Sequence, residues 1–114
     1  MNVDGLIEQW KRYAHANRVR ADIDRARGDL FGAELCLARG AVRLAAAHML
    51  ADSSGDPMAA ANNMHQKAKQ LHQHHWPFAR FDETAVKYTQ ARTWQDCARA
   101  IDPGLPEVQP KLRA

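Results

Sequence analysis

The stretch from Gly28 to Asp52, GDLFGAELCLARGAVRLAAAHMLAD, is the most apolar part of this 114-residue chain, and its spacing decides the fold. Apolar residues recur every three or four positions, the interval of a helix rather than the alternation of a strand. They form two adjacent stripes, one of Leu30, Leu37, Ala41, Leu44 and His48, the other of Phe31, Leu35, Val42, Ala45 and Met49. A helix apolar over that much of its circumference needs cover on several sides, which places it at the centre of a bundle. Gly28 stops the helix before it, and Asp29 is a natural N-cap whose carboxylate can accept from the first-turn amides. Gly32 and Gly40 each cost about 1 kcal/mol of helix propensity relative to alanine, which predicts close approach of a neighbouring helix at both.

Helical spacing continues on either side. Ile7, Trp10, Ala14 and Ala21, broadened by Leu6, Tyr13 and Val19, predict a first helix ending near Arg27. Asp56 as cap and Pro57 at the first helical position start a third, with Ala61, Met64, Ala68 and Leu71 as its buried stripe and its end near His75, before Trp76 and Pro77. Asp82 can cap a fourth, which carries Tyr88, Ala91, Trp94, Ala98 and Ile101 and closes at Asp102 and Pro103. The expected architecture is an all-α, up-down four-helix bundle over residues 1–102 with a short extended, Pro-containing tail over 103–114.

Composition narrows the class further. The chain is 46% hydrophobic and 25% charged with a net charge of +3, values of an ordinary soluble domain. No run of about 18 apolar residues is present to cross a bilayer. The first residues lack the basic-then-apolar order of a secretory signal, so the expected location is cytoplasmic and no membrane partner is expected. Cys36 and Cys97 form no CxxC pair and read as small buried hydrophobes.

The region from Gly28 to Asp52, preceded by Trp10 and followed by Met64, His65 and Leu71, resembles HEPN domains over roughly residues 10–75. The resemblance implies a small four-helix module, often homodimeric, acting in toxin–antitoxin pairs or phage defence. Members are metal-independent RNA-cleaving enzymes or binding partners of minimal nucleotidyltransferases. The nuclease members carry an Arg followed, four to six residues on, by a His, usually on a later helix. The pair with that spacing here is Arg43 and His48, in RLAAAH on the second helix. As catalysts, His48 would be the general base on a ribose hydroxyl and Arg43 would stabilise the phosphorane charge. The alternative is a buried, hydrogen-bonded His48, because the alanine-rich stretch between the two supplies no polar pocket.

The third helix and the stretch after it form a locally basic region. From Pro57 to Phe81 there are Lys67, Lys69 and Arg80, no acidic residue, and four of the six histidines. Lys67, Lys69, His72, His75, Trp76 and Arg80 are therefore the candidate binding residues, the cations for phosphates or an acidic face and Trp76 for stacking on a base. His65, His72 and His75 recur at one- and two-turn intervals, a spacing that could hold a metal. The competing reading is a solvated helix end whose histidines offset the macrodipole. No phosphate loop, nucleophile elbow, HExxH or paired Glu-x-x-His is present, and no cofactor is expected. The sequence thus reads as a helical binding or interaction module acting as a homo-oligomer or with a protein partner. An RNA-cleaving enzyme and a histidine-based metal-binding bundle are the alternatives, with nucleic acid as a further partner class.

Overall fold

A computed structural model describes residues 1–53, 55–72 and 81–108. Four helices follow in chain order, α1 (Val3–Ala26), α2 (Leu30–Ala51), α3 (Pro57–His72) and α4 (Phe81–Ile101), and the chain is an all-α helical bundle. The first three starts have a local cause. The Asn2 side chain accepts from the Gly5 amide at 2.9 Å, Asp29 from Gly32 at 2.8 Å and Asp56 from Ala59 at 3.1 Å. The turn between α1 and α2 is short, Arg27, Gly28 and Asp29. Gly28 sits at φ +81° and donates to the Arg25 carbonyl, while the Asp29 amide reaches back to Asp24 at 2.8 Å, a Schellman closure. Asp29 thus closes one helix and opens the next. At the fourth helix the backbone is already helical at Phe81, so Asp82 lies inside the first turn and not at the expected cap position.

The bundle is built of two helical hairpins, α1 with α2 and α3 with α4, and α2 joins them, chiefly through α4. The molecule is flat, 41 × 38 × 18 Å. Its core runs from Ile7 and Trp10 through Val42, Ala46 and Leu50 to Met64, Trp94, Cys97 and Ile101. Alanines at the helix contacts, among them Ala21, Ala46, Ala61, Ala68 and Ala98, are completely buried and let the backbones approach closely, while Leu50 and Met64 fill the space between. The stripes expected on α3 and α4 bury Ala61, Met64, Ala68, Ala91, Trp94, Ala98 and Ile101, whereas Tyr88 stays 42% exposed.

The two α2 glycines divide. A Cβ at Gly40 would lie 3.2 Å from the Ala14 carbonyl oxygen and 3.2 Å from Asn17 Cβ, so Gly40 is the close-contact point between α1 and α2. Gly32 is not. A Cβ there would meet the carboxylate of its own cap, Asp29, and no other helix. The tail beyond α4 is not extended from its start, since it turns over residues 103–105, where the Leu105 amide donates to the Asp102 carbonyl at 3.1 Å, and as far as Val108 it is tied down. The Val108 amide donates to Gln95 Oε1 at 2.8 Å, Arg92 pairs with Glu107 at 3.1 Å, and Leu105 and Val108 pack against the core.

Candidate interaction surface

Because α1 takes one side of α2 and the second hairpin another, a third side remains uncovered. The buried residues of α2 are Ala33, Cys36, Ala38, Gly40, Val42, Ala46, Ala47 and Leu50. The stripe of Leu30, Leu37, Ala41, Leu44 and His48, expected in the bundle centre, faces outward instead. Leu30 is 67% exposed, Leu37 40% and Leu44 39%. Ala41 and His48 are exposed as well, so the buried, hydrogen-bonded His48 expected from the sequence is not what the fold makes. The cause is geometric: a helix has room for neighbours all round, but two hairpins joined edge to edge supply them on two sides only.

With Glu34 this stripe has alternating steps of four and three residues, Leu30, Glu34, Leu37, Ala41, Leu44, His48. That is the spacing of a coiled-coil seam with leucine at every seventh position. Beside it lies a groove of about 450 Å³, floored by Leu37, Gly40, Ala41 and Leu44 and rimmed on α1 by Lys11, His15 and Arg18. The floor is apolar and the rim is cationic, a lining that suits an amphipathic segment carrying acidic residues along its edge.

The catalytic pair is not assembled on this helix. Five residues apart, Arg43 and His48 point about 140° from each other around the axis. The Arg43 guanidinium lies 4.8 Å from the centre of the Tyr13 ring, while His48 belongs to the exposed seam. A group between them would have nothing on one side.

The histidine-bearing helix takes a different form from a basic recognition surface. His65 and His72 are buried, and His72 stands edge-on to the Tyr88 ring at 5.9 Å. Desolvation lowers the pKa of both, aided at His65 by Lys69, so burial keeps them neutral where an exposed pair would begin to charge. Lys67 and Lys69 are exposed, and the Lys67 ammonium sits 5.5 Å over the Trp94 ring, tying it to α4. Lys67, Gln70, Gln90 and Trp94 line a second, smaller groove of about 300 Å³. His75, Trp76 and Arg80 lie outside the described residues, so the His65, His72 and His75 set is described only in its first two members. Among the described residues no group of three His, Cys, Asp or Glu side chains converges.

Two polar residues have structural roles that hydropathy spacing gave no hint of. Asp24 is buried, pairs with Arg20 at 3.2 Å and accepts from the Cys36 thiol at 3.7 Å. Gln95 is 1% exposed and anchors the tail. Cys36 and Cys97 are both free and buried, and burial raises both thiols, Cys97 to about 12. No described helix is long and apolar enough to cross a membrane. No protein-family model, curated protein or solved structure matches this chain, and its functional reading rests on its own residues.

Proposed function

We propose that this chain is a helical interaction module whose working surface is the α1–α2 face. One observation carries the reading: Leu30, Leu37 and Leu44 stand exposed at seven-residue intervals beside an apolar groove, on a helix whose other sides are packed. Scattered exposed leucines need no explanation, but a continuous row along one helix marks a surface that binds something. The segment it accepts is a helix, because only another helix presents side chains at the matching period. The resemblance to HEPN domains supports a setting of the toxin–antitoxin or defence kind, in which such modules hold a protein partner.

Hydroxyl-radical footprinting tests the reading. The tagged chain is labelled in dilute buffer, at high concentration and in an extract of its own cells. Leu37 and Leu44 should lose reactivity in at least one of the two crowded conditions, while exposed Val19 and Ile23 on the outer side of α1 keep theirs. Unchanged reactivity at Leu37 and Leu44 throughout removes the proposal.

A further inference from the structure

We infer that the segment received by this face is an amphipathic helix of a different protein, carrying carboxylates along one edge over two of its turns. The inference rests on the reading of the α1–α2 face as the working surface and names the chemistry of what covers it.

The groove beside the leucine row carries the argument. Its lining sets apolar Leu37, Ala41 and Leu44 beside basic Lys11, His15 and Arg18 and holds no acidic residue. The three basic residues follow one another at steps of four and three, so they share one edge of α1. All three are exposed, and among the described residues none of them makes a hydrogen bond or an ion pair. Other cations of the hairpin are engaged: Arg20 pairs with Asp24, Arg25 with Asp22, and Arg43 lies against the Tyr13 ring. An unengaged basic row along an apolar floor is complementary to a helix that is apolar on one side and acidic along the adjoining edge.

The surrounding charges fix where those carboxylates lie. The α1 edge turns acidic at Glu8, one turn before Lys11, and at Asp22, one turn after Arg18, so the cationic stretch is confined to two turns. The contact of Gly40 with Ala14 and Asn17, and of Arg43 with Tyr13, sets α1 antiparallel to α2, which brings that stretch level with the Leu37–Leu44 half of the face. Glu34 stands beyond it, toward Leu30. The occupant therefore carries acidic residues at steps of three or four over Leu37–Leu44 and none over the Leu30 end, where Glu34 would repel them. A second copy of α2 does not fit this rim, because it offers Glu34 alone against Arg39 and Arg43. From Leu30 to His48 the face is about 27 Å long, which a helix of about 19 residues covers.

Fluorescence anisotropy of the full chain with three labelled synthetic helical peptides of about 19 residues provides the test. All three repeat leucine at the spacing of the seam; one edge carries glutamates over two turns in the first, glutamines in the second and lysines in the third. The glutamate peptide should bind in the micromolar range, the glutamine peptide about tenfold more weakly and the lysine peptide more weakly still, with the differences shrinking as salt rises from about 0.05 to about 0.5 M. The Lys11→Glu/Arg18→Glu double variant, changed only at exposed positions, should keep its circular dichroism and prefer the lysine peptide. Glutamate and lysine peptides that bind the wild type equally, or a glutamate peptide that does not bind at all, overturn the acidic edge. A glutamate preference that survives the charge reversal overturns its placement on this rim. The footprinting separates the two levels of the reading. Without a glutamate preference, protection of Leu37 and Leu44 in extract leaves the docking surface standing with an occupant of other chemistry. Protection at high concentration of the pure chain alone makes the occupant a second copy and overturns the inference, and no protection in either condition removes both.

Discussion

Acidification should destabilise this fold through two named side chains. His65 and His72 are 6% and 3% exposed, and desolvation holds both imidazoles below their ordinary pKa of 6.5, with Lys69 adding to the effect at His65. His65 Nδ1 is also buried without a hydrogen-bond partner among the described residues, so nothing rewards its protonation. In the unfolded chain each imidazole takes a proton near the ordinary value, whereas the folded chain takes it only at lower pH. Below that value the unfolded state binds more protons. The stability is therefore complete above the unfolded pKa and is lost as the pH falls from there through the folded pKa. Each missing proton costs at most about 1.4 kcal/mol per pH unit, so one unit below the unfolded value the pair removes up to about 3 kcal/mol. That is a large part of the roughly 5–15 kcal/mol that holds a domain together. Urea unfolding followed by far-ultraviolet circular dichroism, at one protein concentration and from about pH 7.5 to about pH 5.5, reads the loss. The His65→Leu/His72→Leu double variant should keep a nearly level midpoint across that range, and either single variant should show about half the wild-type slope. Equal slopes in the wild type and the double variant would refute the assignment to these two histidines.

Other consequences follow from packing and burial. Gly40→Val should destabilise the fold by about 1–3 kcal/mol in the same unfolding assay, because its side chain would meet the α1 backbone at Ala14. Gly32→Ala, whose methyl group disturbs only the Asp29 cap, should stay within about 1 kcal/mol, since the lost cap and the gained helix propensity oppose each other. Met64→Ala empties a fully buried site between the hairpins and should cost about 2–5 kcal/mol, read as a lower urea midpoint. At about pH 8 an aromatic disulfide reagent should leave Cys97 unlabelled in the folded chain and label it in concentrated guanidinium, since its thiol pKa is pushed to about 12. Rapid labelling without denaturant would contradict that burial. Gln95→Leu should release the tail, seen as faster proteolysis after Asp102, because the Val108 amide loses its acceptor.

The sequence by itself determined the helices and most of their described ends, Asp82 excepted, while the expected end of the third helix near His75 lies outside the described residues. Periodicity placed all four, and capping chemistry at Asp29, Asp56 and Gly28 is local enough to be read without a fold, because each cap acts within a few residues of itself. It also marked α2 as the central helix, and it marked Gly40 as a close contact. What periodicity cannot decide is which side of an apolar helix is covered. α2 buries Ala33, Cys36, Gly40, Ala46, Ala47 and Leu50, of the two predicted stripes only Val42 is buried, and the joining of the hairpins through α2 leaves Leu30, Leu37 and Leu44 outside. The same holds in reverse for the histidines. His65 and His72 read as a cationic helix end until α3 packs and encloses them, because burial belongs to the neighbours of a residue and not to its type. Asp24 and Gln95 were illegible for that reason too, since each gains its role from a partner twelve or more residues away along the chain. Sequence sets what each helix can bury; the tertiary arrangement decides what it does bury, and so which surface is left to bind.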